Sequence, residues 1–468
     1  MAKSVSEYFS LVSFQVNSTN LLNDEYRLNA EYYQENLEIT ISEDIKFKPL
    51  SDFASVIFPG IFKRILVDNT KYGMGFLTTS DMMIIEPIPE KYLSTELTQN
   101  LDIYRVTDNT LLVSRSGTIG NTIYVNDDLV NLAITEDALR VSPYDSNLIG
   151  LLYFYFISDY GNGLITGKKS GAVIDHIYED DLLRIPIPVF DNIKIDLFLK
   201  HFQLIKRKRE LANDLIRKAR SLALQYNNLP PLDETEIETL DPNMNVEIRF
   251  VSSNEFTTDY RLDAHFYNPT AKRAVDNIVK FAKQNQPMHS IADCSFRGGR
   301  SIRNYVDKEN GTPFLSGKNI IQIRPDFKYI SNTETSNLND MLVKRNWILI
   351  SRSGTLGRTV FVYNNYEDFA ASEHLIRVLP NENIIDGGYL YAFLSSDYGY
   401  HQLLRYKHGA VIDEITEDQI SQTIIPLSDL ILQREIGDLV RMANDYRAEA
   451  IQLEDEAQKI LNEALTGK

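Results

Sequence analysis

Residues 114–125 read Ser-Arg-Ser-Gly-Thr-Ile-Gly-Asn-Thr-Ile-Tyr-Val, and residues 351–362 read Ser-Arg-Ser-Gly-Thr-Leu-Gly-Arg-Thr-Val-Phe-Val, 237 positions later. A chain that repeats itself at half its length folds as two copies of one unit, and this sets the architecture before any local reading. The repetition runs well beyond the turn. Tyr26-Arg27-Leu28-Asn29-Ala30 returns as Tyr260-Arg261-Leu262-Asp263-Ala264, and Thr135-Glu136 with Leu139-Arg140-Val141 returns as Ser372-Glu373 with Ile376-Arg377-Val378. Ser158-Asp159-Tyr160-Gly161 returns as Ser396-Asp397-Tyr398-Gly399, and Gly171-Ala172-Val173-Ile174-Asp175 as Gly409-Ala410-Val411-Ile412-Asp413. Order is kept and the offset stays between 234 and 238, so this is a duplicated module with small insertions.

Length alone suggests roughly three domains, and the repeat reduces that to two large modules with connecting elements. A hydrophobic share of 43% gives each half a core to bury, and 26 Tyr and 22 Phe suit strand-rich modules. A single cysteine, Cys294, excludes an internal disulfide framework and suits a reducing cytosol. Met-Ala-Lys-Ser-Val-Ser-Glu at the start has no apolar signal region, and no run reaches the ~20 apolar residues of a membrane span. A cytoplasmic location is expected. The net charge of −17 opposes a nucleic-acid surface spread over the whole body, but leaves room for a locally basic face.

In chain order, the spacing of Leu28, Tyr32 and Leu37 predicts a short helix early in a first module over 1–190. Strands are predicted at Asp102–Val106, Leu111–Ser114, Thr122–Val125 and Leu139–Val141, and a buried helix at Leu148–Tyr160. Ile185-Pro186-Ile187-Pro188 closes the module, since prolines at alternate positions oppose regular pairing. Residues 191–228 contain no Gly or Pro and carry a stripe of Phe198, Phe202, Ile205, Ala212, Ile216, Ala219 and Ala223, which predicts one long central helix. An acidic linker over 229–244 leads to the second module over 245–427. A second long helix over 428–468 follows, with its stripe at Ile436, Val440, Ala443, Ala450, Ala457 and Leu461.

Both stripes are narrow and rich in alanine, which calls for a close partner helix. The first helix is basic on its flanks (Lys206, Arg207, Lys208, Arg209) and the second acidic (Asp445, Glu449, Glu454, Asp455), so each suits the other. A pseudo-two-fold arrangement makes them antiparallel. In the alternative arrangement each helix packs on its own module. The fold class is therefore α+β: two tandem mixed, strand-rich modules with a pair of long antiparallel, coiled-coil-like helices.

No catalytic motif emerges. The seven histidines form no H-E-x-x-H or Cys/His set, no phosphate-binding G-x-x-x-x-G-K-[ST] is present, and the acids are scattered. The repeated turn suggests binding instead. Its glycines supply tight backbone geometry, while Arg115, Ser116, Arg352, Ser353 and Arg358 suit phosphate or guanine contacts. In the structural alternative, Arg115 and Arg352 pair with acids such as Glu136 or Glu373. Basic loops at corresponding places differ between halves: Lys63, Arg64, Lys168 and Lys169 in the first, and Arg297, Arg300, Arg303, Lys318, Asn319, Tyr406 and Lys407 in the second. One frame with two loop chemistries is suited to reading two short sequences.

These features together resemble the specificity (S) subunit of Type I restriction–modification systems. The resemblance rests on the Tyr-Arg-Leu-Asn/Asp-Ala entry, the Ser-Arg-Ser-Gly-Thr-x-Gly turn, the Gly-Ala-Val-Ile-Asp segment before an Ile-Pro close, and the long helix after each module. It implies that each module is a target recognition domain reading half of a split double-stranded DNA site, with the helices as spacer. The chain itself would be non-catalytic and would bind no cofactor. Its partners would be two methyltransferase (M) subunits, which use S-adenosylmethionine on adenine, and motor-nuclease (R) subunits, in defence against foreign DNA. Two alternatives compete: the specificity subunit of a system whose partner fuses nuclease and methyltransferase, and a protein-binding scaffold that never touches DNA.

Overall fold

The computed structural model describes residues 41–67, 72–168, 175–232, 251, 261, 263–295, 303–409 and 412–467. The helix predicted around Leu28–Leu37, the acidic linker from 233 onward, and residues 171–174 and 410–411 of the two Gly-Ala-Val-Ile-Asp segments lie outside the described residues. The chain divides into two compact units. The first comprises the described residues within 41–83, 87–206 and 452–467; the second comprises those within 84–86 and 207–451.

The first unit contains β1 (Phe47–Pro49), β2 (Ala54–Ile57), β3 (Leu66–Val67), β4 (Gly73–Leu77), β5 (Lys91–Ser94), β6 (Leu111–Ser114), β7 (Thr122–Tyr124), β8 (Ala133–Ile134), β9 (Ala138–Pro143) and β10 (Pro186–Pro188). Between the last two strands lie α1 (Ile149–Ile157), α2 (Asp159–Gly167) and α3 (Glu179–Leu183), and α4 (Asn192–Gln225) follows. The strands form an antiparallel sheet in the order β2-β9-β6-β7, a smaller sheet β3-β5-β4-β8 whose β4–β8 pair is parallel, and the pair β1-β10.

The second unit repeats this order: β11 (Asn285–Pro287), β12 (Ala292–Ser295), β13 (Tyr305–Val306), β14 (Gly311–Leu315), β15 (Lys328–Ser331), β16 (Ile348–Ser351), β17 (Thr359–Phe361), β18 (Ala370–Ala371), β19 (Leu375–Pro380) and β20 (Ile424–Pro426). Its sheets are β12-β19-β16-β17, β13-β15-β14-β18 and β11-β20, strand for strand those of the first unit. The helices here are α5 (Pro269–Phe281), α6 (Leu338–Met341), α7 (Gly387–Leu394), α8 (Asp397–Arg405), α9 (Glu417–Ser421) and, as far as residue 451, α10 (Leu430–Thr466).

The strand period of two sets the core. In β16, Ile348 and Ile350 join one buried cluster with Ile376, Tyr389, Phe393 and Tyr398, while Leu349 joins another with Leu315, Val360 and Leu375. The sheet is buried on both faces, which is why β6 and β16 read as continuous apolar runs rather than alternating ones.

Three expectations need correction. The Pro186–Pro188 segment pairs after all, as β10 against β1. Ile187 lies opposite Lys48, the ring nitrogens of Pro186 and Pro188 have no hydrogen to donate, and the two-stranded arrangement leaves an edge that tolerates this. The strand predicted at Asp102–Val106 is a 3₁₀ turn over Leu101–Ile103, started by Asn100 at φ +53°. Only the far end of that segment makes strand-like bonds, Val106 donating to Leu132 O at 3.1 Å. The helix over Leu148–Tyr160 is two helices broken at Ser158, whose hydroxyl caps α2 by accepting from the Gly161 amide at 3.0 Å. The break also accounts for the repeated Ser-Asp-Tyr-Gly. A Cβ on Gly161 would stand 1.9 Å from Tyr155 O, and one on Gly399 would stand 2.4 Å from Phe393 O, so the chain turns there only without a side chain.

Each long helix is continuous. Asp191 caps α4 through the Lys194 amide at 2.9 Å, and Asn228 at φ +55° ends the run. Within the second unit, Ala212, Ile216, Ala219 and Ala223 of α4 share a buried cluster with Ile436, Val440 and Ala443 of α10. Lys208 bonds Glu449, Arg447 donates to Asn213 at 3.1 Å, and Tyr226 donates to Glu435 at 3.4 Å. Numbers rise on one helix as they fall on the other, so the pair is antiparallel and held by the opposite-sign flanks. Also in this unit, Glu86 takes two hydrogen bonds from Arg220 (3.1 and 2.8 Å) and faces Arg447 at 3.9 Å. Burial pulls the Arg220 pKa down, but the Glu86 carboxylate outweighs it and raises the guanidinium above its ordinary value.

Candidate nucleic-acid interface

In each module the repeated turn is pinned by the same main-chain bonds. The Ser114 and Ser351 amides each donate at 2.9 Å, to Asn121 O and Arg358 O respectively. Arg115 N reaches Asp137 O at 2.8 Å, and Arg352 N reaches His374 O at 2.9 Å. Ile177 N donates to Arg115 O at 3.1 Å, and Ile415 N to Arg352 O at 3.0 Å. The hydroxyls of Ser114 and Ser351 close the turn on Thr118 O and Thr355 O. Gly117 (φ +69°) and Gly354 (φ +74°) sit left-handed with open space where a Cβ would be, so backbone conformation, not crowding, demands glycine there.

Behind the turn stands a buried arginine. Arg377, 0% exposed, donates to Ala371 O (2.6 Å), Leu375 O (2.9 Å) and Ser372 O (3.3 Å). Arg140 does the same for Ile134 O at 2.6 Å, Thr135 O at 3.0 Å and Ala138 O. Burial pulls Arg140 down to about 10, still far above neutrality, so it remains a cation. These arginines fix the loop that carries Glu136 and Glu373. Glu136 holds Arg64 at 3.0 Å with the guanidinium over Phe76, and Glu373 holds Arg303 over Phe314. Arg64 and Arg303, read as loop residues that differ between halves, therefore occupy one equivalent place.

The turn arginines behave differently from each other. Arg115 is buried, with its guanidinium 4.3 Å from the Phe58 ring centroid and 5.3 Å from that of Tyr178. Arg352 pairs with Glu414 at 3.0 Å. The Glu136 and Glu373 partners considered for them belong instead to Arg64 and Arg303. Ser116 bridges His176, and Ser353 bridges Glu414 while its hydroxyl meets His374 Nδ1 at 2.9 Å. Arg358 lies over the Tyr400 ring, Lys318 is exposed, and Asn319 is tied into its own turn by accepting from Ser316 N (3.1 Å) and Ser316 Oγ (2.6 Å). Lys407 pairs with Asp413 at 3.6 Å, and Arg261 donates to the carbonyls of Tyr406 (3.1 Å) and Lys407 (2.9 Å). Lys63 is exposed and Lys168 is half-buried at the end of α2. Lys169, Arg297 and Arg300 lie outside the described residues.

The structure thus gathers Arg64, Arg115, Ser116, Arg303, Lys318, Arg352, Ser353 and Arg358 around the two turns, each with its own module. The signal overlooked in sequence was the repeated Leu-Arg-Val and Ile-Arg-Val: an arginine inside an apolar strand that keeps its place in both copies. Among the described residues no group of His, Cys, Asp and Glu is arranged to hold a metal ion. No helix among them is long and apolar enough to cross a membrane.

Residues 290–449 match the model of the Type I restriction modification DNA specificity domain. That match lies within the second module and its following helix and covers about a third of the chain. The first module repeats the sequence motifs, the sheets and the turn of the second, so both halves share the frame that matches a DNA specificity domain. A crystal structure of the S subunit of such a system from M. genitalium aligns over 91% of this chain and 98% of its own, at 13% identity and a TM-score of 0.37. That of the HsdS subunit from Thermoanaerobacter tengcongensis aligns over 92% and 99%, at 14% identity and a TM-score of 0.28. No curated protein matches. The family match and the internal repeat therefore carry the functional reading, and the whole-chain superpositions do not.

Proposed function

We propose that each specificity domain reads one half of a split double-stranded DNA site, and that the two halves read different bases. The observation that carries this is the pair of turns. Matching main-chain bonds hold positions 121 and 358, and positions 137 and 374, in the same place, yet the side chains there are Asn and Asp in one module and Arg and His in the other. Loop side chains reach base edges in the major groove, while Lys and Arg around the turns engage phosphate.

The partners are two methyltransferase subunits that bring S-adenosylmethionine and modify adenine, with motor-nuclease subunits added for restriction in the cytoplasm. This chain holds no cofactor of its own. The long helices act as the spacer between half-sites. The test is methylation of a pool of randomised duplexes by the reconstituted complex. Exchanging Lys407 alters base tolerance in the second half-site only, and inserting residues beside Ala212 changes the preferred gap. If a change in either module shifts both half-sites equally, the two-reader proposal fails. If the complex binds no duplex, DNA reading itself fails and a protein-binding scaffold takes its place.

A further inference from the structure

Two positions touch the repeated turn in both modules and a third flanks it in the second, and all are held in place by main-chain or turn-capping bonds that do not depend on the side chain in question. Position 121 or 358 accepts from the first serine of the turn, and position 137 or 374 accepts from its arginine. Position 80 or 318 lies in the turn entering a short 3₁₀ helix. There Asp81 accepts from Thr78 N at 2.8 Å in one module, and Asn319 accepts from Ser316 N at 3.1 Å in the other. In the second module this entry turn abuts the repeated one, since Thr355 Oγ1 donates to Gly317 O at 3.3 Å.

The occupants differ in a consistent direction. The first module places Ser80, Asn121 and Asp137 at these positions, and the second places Lys318, Arg358 and His374. With the histidine neutral, each exchange makes the second turn one charge unit more positive, three in all. All six side chains are exposed or half-exposed, so the difference reaches solvent and any polyanion lying there. The ion pairs around the two turns cancel only part of it. Glu136–Arg64 has its counterpart in Glu373–Arg303, so that contribution is the same in both modules. Arg352–Glu414 is internally neutral, whereas His176 stands in the place of Glu414 beside the first turn, so Arg115 keeps one unit there and the second turn is more positive by two.

We infer that the two specificity domains grip DNA unequally at this turn. The second holds phosphate through Lys318 and Arg358, with His374 presenting no opposing charge. The first offers the same backbone with neutral side chains and an acid, and relies on uncharged hydrogen bonds. This rests on the reading of both modules as DNA-binding. The consequence is that the salt dependence of binding belongs disproportionately to the second module.

The test uses the full chain and a pool of random-sequence duplexes, with affinity followed by fluorescence anisotropy across a salt series. Moving the first module's residues into the second (K318S/R358N/H374D) removes two phosphate contacts. At ~0.9 per contact, this flattens the slope of log K against log salt by about 2. From about 50 to about 200 mM salt the parent then loses roughly ten-fold more affinity than the variant. The reciprocal exchange in the first module (S80K/N121R/D137H) steepens the slope by a similar amount, and because it is a gain it cannot be produced by misfolding. The inference is overturned if a chain that still binds duplex shows the parent slope in both variants. It is equally overturned if the exchange in the second module raises affinity. Parent protein that binds no duplex at any salt defeats the underlying DNA reading instead, and the inference with it.

Discussion

Replacing Arg377 with leucine tests whether the buried arginine is the member on which the rim of the second module hangs. The guanidinium is fully enclosed and donates to three carbonyls, those of Ala371, Ser372 and Leu375. Leucine leaves these oxygens dry. A buried polar group without a partner costs about 1–3 kcal/mol, and of the three bonds the one to Ser372, at 3.3 Å, is the weakest. Two strong losses and one weak one amount to roughly 3–6 kcal/mol, a large part of the ~5–15 kcal/mol that stabilises an ordinary domain. Some of that is recovered because a buried cation is no longer desolvated, so the lower half of the range is expected, about 3–4 kcal/mol. A two-module chain unfolds in more than one step, so a single melting midpoint is the wrong observable. Amide hydrogen exchange resolved by segment is the right one. In R377L, protection falls in β18, in the loop 372–375 and in β16, which pairs with β19, while β6, β8 and β9 of the first module keep theirs. R140L gives the mirror result. Protection in 370–375 that matches the parent would refute the reasoning, because it would mean that the loop holds itself without the arginine.

Glu86→Gln keeps the shape but removes the charge that faces Arg220 and Arg447, and these sites are partly open (side chains 16% and 20% exposed for Glu86 and Arg220). The expected loss is about 2–3 kcal/mol, below the ~3–5 kcal/mol of a fully buried pair, and it is read as lost exchange protection along α4 from residue 212 onward. Unchanged protection there would show the carboxylate to be dispensable. Acid should act on the second turn through Glu373. Burial pushes its carboxyl up, but its own amide and the Arg303 guanidinium outweigh that and hold it below the usual 4.5. A carboxylate lowered in the folded state stabilises fully above its unfolded pKa, and the benefit disappears as pH falls through the folded one. Parent protein therefore loses stability on this account from about pH 4.5 downward, and E373Q lacks that part of the acid limb. Coincident acid titrations of the two would count against the pair.

The repeat, the two long helices and their antiparallel pairing were legible because each depends on a pattern spread over many residues. The alanine-rich stripes and opposite-sign flanks survive any local error, and Lys208–Glu449 is the contact they imply. The partners of individual arginines were not legible. Arg115 is nearer to Glu136 in sequence than Arg64 is, yet Glu136 goes to Arg64 and Arg115 goes to aromatic rings. A buried guanidinium chooses between a carboxylate and the face of Phe58 by where the core leaves room, and this is decided across strands that are distant in sequence. Pro186–Pro188 failed for a related reason. Proline excludes central pairing but not an edge, and whether a segment lies at an edge is a property of the sheet.

The same division explains why a duplicated frame suits a reader of two different words. The bonds that shape each turn run from main chain to main chain, or from serine hydroxyls and buried arginines to main-chain carbonyls. None of them needs the side chain at 80, 121 or 137, or at 318 or 358, and the imidazole at 374 adds a single hydrogen bond, with the Ser353 hydroxyl. Geometry and recognition are therefore carried by separate sets of atoms. Substitution at the outer positions changes charge by a full unit each while the buried arginine keeps the loop in place. Substitution at Arg140 or Arg377 does the reverse, leaving the outer charges unaltered but losing the surface that presents them. The two classes of variant should accordingly separate in experiment, the outer ones moving salt slope at constant exchange protection, the inner ones moving protection first. A variant at 318, 358 or 374 that lowered protection as much as R377L would show that frame and reading surface are not separable, and the case for independent half-site readers would fall.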